Sequence, residues 1–132
     1  AGFELKEHLV GVLRDAGYEV VDHGATTYDP NDDYPQMCIA AAEGVAAEPG
    51  SLGVVIGGSG NGEQMAANLV KGVRAALVWN EEIAVLAREH NNAVGARQHS
   101  LEDATRFVLT FLSTPFSEDE RHKRRIAVMD AY

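Results

Sequence analysis

Cysteine and positive charge are both scarce in this sequence. Cys38 is the single cysteine among 132 residues, which excludes an internal disulfide. No apolar run has the length of a membrane span, and no hydrophobic segment of the signal-peptide type is present. The 11 lysines and arginines face 20 aspartates and glutamates, and the resulting net charge of −9 argues against nucleic acid or an anionic membrane as partner. We therefore expect a soluble, cytoplasmic protein.

The composition that remains is that of one globular domain. Hydrophobic residues make up 45% of the chain, and a chain of this length buries roughly two thirds of the surface that it exposes when unfolded. Such a core needs neither a disulfide nor a structural metal. We interpret Cys38, which lies among alanines, as a small core residue. The prediction is a single domain over residues 1–132, without metal or cofactor.

A glycine-rich loop is the most informative stretch of the chain. Residues 52–56 form an apolar run of strand length, four glycines fall within residues 57–62, and residues 63–67 favour a helix. The pattern predicts a strand, a tight loop and the start of a helix. Glycine allows positive φ and close approach to the backbone, so such a loop presents N–H groups at the positive end of a helix. This loop is therefore expected to hold negative charge.

The residues after the glycines indicate which class of anion the loop is built to hold. A nucleotide P-loop ends in Gly-Lys-Ser/Thr, whereas this loop continues Gly62-Glu-Gln64. A dinucleotide pyrophosphate would be repelled by Glu63. Glu63 fits a base that takes a proton from carbon while the N–H groups hold the developing oxyanion, which is the chemistry of enolisation. Glu63 also fits a plain first-turn helix residue favoured by the macrodipole, so both interpretations remain open.

Strand and helix patterns alternate along the chain. The predicted strands are residues 18–21, 52–56 and 73–79. The predicted helices are residues 3–16, 35–47 and 81–89, and two more begin at capping boxes that start with Ser100 and Ser117. Such alternation predicts an α/β fold: a three-layer, Rossmann-like, doubly wound parallel β-sheet with helices on both faces. Its binding crevice would lie at the carboxyl ends of the strands.

A cluster of positive charge stands out in this acidic chain. Four of the 11 lysines and arginines fall within residues 121–125. Arg121 and Arg125 share one helix face because they are four residues apart. The run is either a solvated charged face or a phosphate site, for which the arginine fork is well suited.

Four ordered motifs together resemble the type B ribose-5-phosphate isomerases, most closely their actinobacterial branch. They are the glycine loop of residues 57–68, Gly72-Val-Arg-Ala-Ala76, Ala87-Arg-Glu-His-Asn-Asn92 and Arg121-His-Lys-Arg-Arg125. The resemblance implies an aldose–ketose isomerase of the pentose phosphate pathway that interconverts ribose 5-phosphate and ribulose 5-phosphate through a cis-enediolate. It also implies a homodimer, or a tetramer, with shared active sites and no cofactor. Isomerases of galactose 6-phosphate, allose 6-phosphate or a tetrulose phosphate are the alternatives, together with a catalytically degraded sugar-phosphate binding protein.

The resemblance also implies catalytic roles. Glu63 matches the base that removes the C2 proton, and Ser59 matches the residue that assists proton movement at the oxygens. Other branches use a cysteine just before the loop, but that position here is Gly57. His90 matches the histidine that opens the sugar ring, although it also fits a cation that caps a helix C-terminus.

The remaining implied site residues bind substrate. Glycine-loop N–H groups hold the enediolate, an asparagine contacts the sugar, and arginines with a neighbouring histidine bind the phosphate. These residues are Gly58, Gly60, Asn61, Gly62, Asn91, Arg97, Arg121, His122 and Arg125.

Two departures from the family pattern are evident. Family sequences begin with a strand that ends in Asp-His-Ala-Gly, and this sequence opens at Ala1-Gly2 without it. Between Asn92 and Arg97 the family has a complete strand, and the segment here is too short by about four residues. A chain that lacked this central strand would lose buried parallel pairing, and we would not expect such a chain to fold or to turn over substrate.

Overall fold

The computed structural model describes residues 2–92, 94–96 and 100–132. Six helices and three strands follow one another along these residues. In chain order they are α1 (Phe3–Asp15), α2 (Tyr34–Ala47), β1 (Val54–Val55), α3 (Asn61–Ala67), β2 (Ala75–Leu77), α4 (Glu81–Asn91), β3 (Val94–Ala96), α5 (Leu101–Ser113) and α6 (Glu120–Ala131). From α2 to α5, helices and strands alternate as predicted.

The three strands form one parallel sheet in the order β1-β3-β2. Gly95 of β3 lies opposite Val54 of β1 on one side and opposite Ala76 of β2 on the other. The short segment after Asn92 therefore forms the central strand, and the sheet keeps its parallel pairing. Three residues suffice because the neighbouring strands are themselves only two and three residues long.

The predicted strand over residues 18–21 is wrong. The Tyr18 N–H donates to the Leu13 carbonyl at 3.0 Å, and the Gly17 N–H donates to the Arg14 carbonyl at 3.0 Å. These two bonds close the last turn of α1, so Tyr18 belongs to the end of the helix and not to a strand. Gly17 has a φ of 91°, which glycine adopts without strain. No described strand pairs with the residues that follow, and a β-type sequence without a paired neighbour stays irregular.

Two apolar clusters flank the sheet. The first joins α2, β1, α3 and β2 through Cys38, Ala42, Val55, Ala66, Ala67, Val73 and Ala75. The second joins α4 and α5 to the end of β2 through Val78, Ala84, Ala87, Phe107 and Phe111, with Ala76 packed against it. Leu5 and Leu9 of α1 pack with Ala104 of α5 in a third cluster. These contacts hold the carboxyl ends of the strands, where the predicted crevice lies, in a fixed arrangement.

The two predicted capping boxes have different outcomes. Ser100 caps α5 as expected, since its hydroxyl oxygen accepts from the Asp103 N–H at 3.2 Å. The cap of α6 is Asp119, whose carboxylate accepts from the Arg121 N–H at 2.9 Å, so the prediction of Ser117 as the cap is wrong. The Ser117 hydroxyl instead lies 3.0 Å from His122 Nδ1.

Residues 2–92, 94–96 and 100–132 contain neither a membrane-spanning helix nor a metal-binding cluster. None of the described helices combines the length and the apolar character that crossing a membrane requires. None of the described histidine, cysteine, aspartate and glutamate side chains form a group of three or more that could hold a metal ion.

Candidate active site

The glycine loop connects β1 to α3 as predicted. Gly60 precedes the helix with a φ of 80°, the left-handed region that glycine tolerates. The Ser59 hydroxyl oxygen accepts from the Asn61 N–H at 3.3 Å. The N–H groups of Gly58, Gly60 and Gly62 donate to no residue in the described ranges. These donors at the start of α3 are therefore available to an anionic group.

Glu63 lies beneath this loop with only 6% of its surface exposed. Its carboxylate folds back over Gly57, and a Cβ placed on Gly57 would lie 1.5 Å from Glu63 Oε1. The carboxylate thus occupies the space that a side chain at position 57 would fill, at the carboxyl end of β1. No described residue forms a hydrogen bond or ion pair with it. A buried carboxylate without a partner is unfavourable for stability, which is typical of a group kept for chemistry.

Cys38 lies in the core next to this carboxylate. It is 5% exposed and belongs to the first apolar cluster, which confirms its interpretation as a small core residue. Burial, and then the charge of Glu63, raise the pKa of the Cys38 thiol to about 11. The thiol is therefore neutral at the pH at which enzymes usually work.

This pKa predicts resistance to alkylation. At pH 8 only about one Cys38 thiol in 10³ is ionised, because the pKa lies near 11. Iodoacetamide at pH 8 should leave the folded protein unmodified over a time in which the protein in guanidinium chloride is fully labelled. Intact mass measures the labelling. Prompt modification of the folded protein would contradict the placement of Cys38 in the core beside Glu63.

Tyr34 is a loop neighbour that the sequence analysis missed. It begins α2, and a Cβ placed on Gly62 would lie 2.1 Å from the Tyr34 hydroxyl oxygen. The ring is 41% exposed, so the hydroxyl is at the surface of the loop. In the sequence, Pro35 indicates the start of a helix but nothing connects Tyr34 to a loop that follows much later.

His90 and His122 form a second group. His90 lies in the last turn of α4 and His122 in the first turn of α6, with ring centroids 4.3 Å apart and ring planes at 41°. His122 is 5% exposed, and its Nδ1 lies 3.0 Å from the Ser117 hydroxyl. The Ser117 N–H donates to the Glu89 carbonyl at 3.1 Å. The loop before α6 is therefore tied to the end of α4, and the histidines predicted to share a site do lie together.

Arg88 fixes the turn that carries His90 and Asn91, and the sequence analysis missed it too. Its Nε donates to the Thr114 carbonyl at 3.2 Å, and its Nη1 donates to Asn92 Oδ1. Asn92 ends α4 in the left-handed region with a φ of 48°. Burial lowers the pKa of Arg88, and no described carboxylate pairs with it. The guanidinium lies over the Phe111 ring instead, 5.5 Å from its centroid.

The two arginines of the basic cluster are accessible. Arg121 Nε lies 3.5 Å from an Asp119 carboxylate oxygen, with the Arg121 side chain 58% exposed. Arg125 is exposed one turn later. Lys123 is engaged by Glu118 at 3.0 Å and Glu120 at 3.2 Å. The predicted phosphate residue Arg97 lies outside the described residues.

The predicted site residues therefore fall into two groups within one chain. One is the loop group of Gly58, Ser59, Gly60, Asn61, Gly62 and Glu63, and the other is the histidine group of His90, Asn91, Arg121, His122 and Arg125. Over the described residues, no hydrogen bond or ion pair links Glu63 to His90 or His122. The structure places the members of each group near one another and shows no bond between the two groups among the described residues.

Comparison with known proteins identifies the family. The profile of the Ribose/Galactose Isomerase family matches residues 1–129. This chain belongs to that family.

Individual relatives agree with this assignment. The chain is 52% identical over 136 residues to ribose-5-phosphate isomerase B of Mycobacterium tuberculosis, which covers 100% of this chain and 84% of the relative. Against ribose-5-phosphate isomerase B of Mycobacterium leprae the identity is 51% over 133 residues, covering 98% of this chain and 82% of the relative.

Solved structures show the same fold. Ribose-5-phosphate isomerase B from Mycoplasma genitalium with bound ribulose-5-phosphate has a TM-score of 0.94 and 38% identity, covering 99% of this chain and 89% of that one. A ribose 5-phosphate isomerase from Thermotoga maritima has a TM-score of 0.91 and 38% identity, covering 100% and 92%. The Rossmann-like isomerase fold that the sequence predicted is therefore confirmed.

Proposed function

We propose that this chain is an aldose–ketose isomerase that interconverts ribose 5-phosphate and ribulose 5-phosphate through a cis-enediolate. One observation carries the proposal: Glu63, a buried carboxylate without a partner among the described residues, lies beside a loop in which the N–H groups of Gly58, Gly60 and Gly62 donate to none of those residues. A base and an oxyanion site side by side are what proton abstraction next to a carbonyl requires. Relatives named ribose-5-phosphate isomerase B at 52% identity give the substrate.

In this mechanism the loop group performs the proton transfers. Glu63 takes the C2 proton of the open-chain aldose, exchanges it with solvent and delivers a proton to C1, so the carboxylate is regenerated at the end of each turnover. The N–H groups of Gly58, Gly60 and Gly62 stabilise the negative charge on the enediolate oxygens. Ser59, oriented by the Asn61 N–H, moves the remaining proton between O2 and O1.

The histidine group binds and opens the sugar. His90 acts on the ring oxygen to release the open-chain form, and Asn91 contacts the sugar hydroxyls. The ring of His122 packs on His90 and holds it in place. Arg97, Arg121 and Arg125 bind the phosphate together with His122, and the exposed guanidinium of Arg121 favours this role.

Replacing Arg125 by alanine is expected to raise KM for ribose 5-phosphate by about tenfold and to change kcat little, because a contact to the non-reacting phosphate contributes uniform binding. Steady-state kinetics measures both constants. The matched control is Lys123→Ala, since Lys123 is already paired with Glu118 and Glu120. A normal KM for the Arg125 variant would leave the cluster as a solvated face only.

We infer a homodimer, or a tetramer built from two such dimers, in which the two groups meet across a subunit interface; within one chain no described hydrogen bond or ion pair links them. Each site would take Glu63 from one chain and His90 from another. Apolar side chains remain exposed at the ends of α3 and α6, and large exposed apolar surface favours association. They are Met65, Leu69, Val128, Met129 and Tyr132.

The finer architecture belongs to the same proposal. Ala75 packs in the first apolar cluster and Ala76 against the second, and adjacent side chains of a strand point to opposite faces. This supports a three-layer sheet with helices on both faces, within one domain over residues 1–132.

A cytoplasmic location follows from the substrate, because a charged sugar phosphate does not cross membranes unaided.

A substrate panel tests the proposal. Ketose formation should proceed with ribose 5-phosphate at a kcat/KM above that for galactose 6-phosphate, allose 6-phosphate or a tetrose phosphate. The family description names galactose as well as ribose, so a galactose-6-phosphate preference is the second candidate. Binding of ribose 5-phosphate without any ketose formation would overturn the proposed activity and leave a sugar-phosphate binding protein.

A further inference from the structure

Arg74 has no part in the mechanism above, although its motif was among those singled out in the sequence. It lies directly before β2, and its Nε donates to the Asn91 carbonyl at 2.8 Å. Its Nη1 lies 2.7 Å from Asp130 Oδ1 near the end of α6. The Arg74 side chain is 20% exposed and that of Asp130 is 45% exposed. One guanidinium therefore joins the sheet, the last residue of α4 and the end of α6.

Within one chain, α6 makes few side-chain contacts with the other described elements. His122, near its start, is the buried residue of this helix and packs on His90. Residues 117–119 lead into α6 and bond to its first turn. Apart from those bonds and the packing of His122 on His90, the polar contact between α6 and the rest of the described chain is the ion pair of Asp130 with Arg74. His122 and Asp130 are eight residues apart, about 12 Å along a helix axis. A helix held at both of these points has a fixed direction.

Arg125 lies between these two points, and Arg121 lies directly before the first of them. We propose that Arg74 and Asp130 are positioning residues that hold α6, and with it the phosphate-binding arginines, against the end of α4. This inference rests on the proposed function for its catalytic consequence. Arginine suits the role because its planar fork reaches two acceptors at once, here a carbonyl and a carboxylate. Lysine, a single point charge, cannot reproduce that geometry.

Two variants separate the two contacts. Asp130→Asn removes the ion pair with α6 and leaves the bond from Arg74 to the Asn91 carbonyl. Arg74→Lys keeps a cation near Asp130 and loses the fork. The control is Arg106→Lys. Arg106 pairs with Asp103 of α5 at 3.0 Å and with Glu81 of α4 at 3.5 Å, and neither partner belongs to α6.

Hydrogen exchange tests the docking of α6 without any assumption about function. In Asp130→Asn, amides in the last two turns of α6 should exchange about tenfold faster, because local opening no longer breaks a charged contact. Amides of α1 should be unchanged in the same sample. Arg106→Lys should leave α6 exchange unchanged. Unaltered α6 exchange in Asp130→Asn would overturn the inference.

Kinetics tests the consequence for the site. Asp130→Asn should raise KM for ribose 5-phosphate about 3- to 10-fold with kcat nearly kept, since the phosphate contacts lose their orientation. Arg74→Lys should raise KM and also lower kcat, because Asn91 loses its support. A faster-exchanging α6 with an unchanged KM would also overturn the positioning role. If the unmodified protein does not turn over ribose 5-phosphate, the proposed function fails, and the Kd of inorganic phosphate from calorimetry replaces KM in the same comparison.

Discussion

Replacing Glu63 by glutamine is expected to lower kcat on the order of 10²–10⁴-fold and to leave KM for ribose 5-phosphate close to its unmodified value. Glutamine has nearly the same shape as glutamate, so it fills the space over Gly57 but cannot accept the C2 proton. The basic cluster that we propose to bind phosphate lies on α6 and is not altered by this substitution. Steady-state kinetics with ribose 5-phosphate measures the effect.

The same substitution is expected to stabilise the fold. Glu63 is 6% exposed and has no partner among the described residues, so its charge is unfavourable in the folded state. A neutral amide removes that cost, and the melting temperature of Glu63→Gln should be at or above that of the unmodified protein. Glu43→Gln is the matched control, since Glu43 is exposed on α2. A Glu63→Gln protein that keeps its kcat would exclude Glu63 as the base.

Replacing Gly57 by alanine is expected to lower kcat about 10²-fold, because a displacement of about 1 Å at a reacting group has that effect. The added Cβ would lie 1.5 Å from Glu63 Oε1, so the carboxylate must move out of its place. KM should change little because the phosphate contacts remain. The measurement is kcat at saturating ribose 5-phosphate.

Gly11 provides the control for this substitution. It lies within α1, and a Cβ placed there meets no atom within 4 Å. Gly11→Ala should therefore keep full activity and gain about 1 kcal/mol of stability from helix propensity. If Gly57→Ala were as active as Gly11→Ala, the position of the Glu63 carboxylate would not matter for turnover.

Local signals in the sequence predicted much of the fold. Ser100 and its following residues gave a correct helix start, and Gly17 a correct helix end, because each acts within a few residues of itself. The strand over residues 18–21 failed since a strand depends on a partner elsewhere in the chain. The prediction that Ser117 caps α6 is wrong because the Ser117 hydroxyl contacts the His122 ring instead of the helix N-terminus.

The residues of the candidate site also divide into those with a local sequence signal and those without one. Glu63 and Ser59 could be found because the glycine loop is one continuous motif. Arg74 and Arg88 could not, since their roles arise only where the fold brings distant residues together. Arg74 and Asp130 are 56 positions apart, and Arg88 and Thr114 are 26 apart. Nothing in a local pattern indicates such pairs.

The central claim is that this protein removes the C2 proton of ribose 5-phosphate with a base that exchanges it with solvent. Proton NMR of ribose 5-phosphate in deuterium oxide with the unmodified protein tests this directly. A base on the enzyme predicts loss of the C2 proton signal in the aldose pool and deuterium at C1 of ribulose 5-phosphate. Ketose that forms without any deuterium, or no ketose at all, would contradict the account.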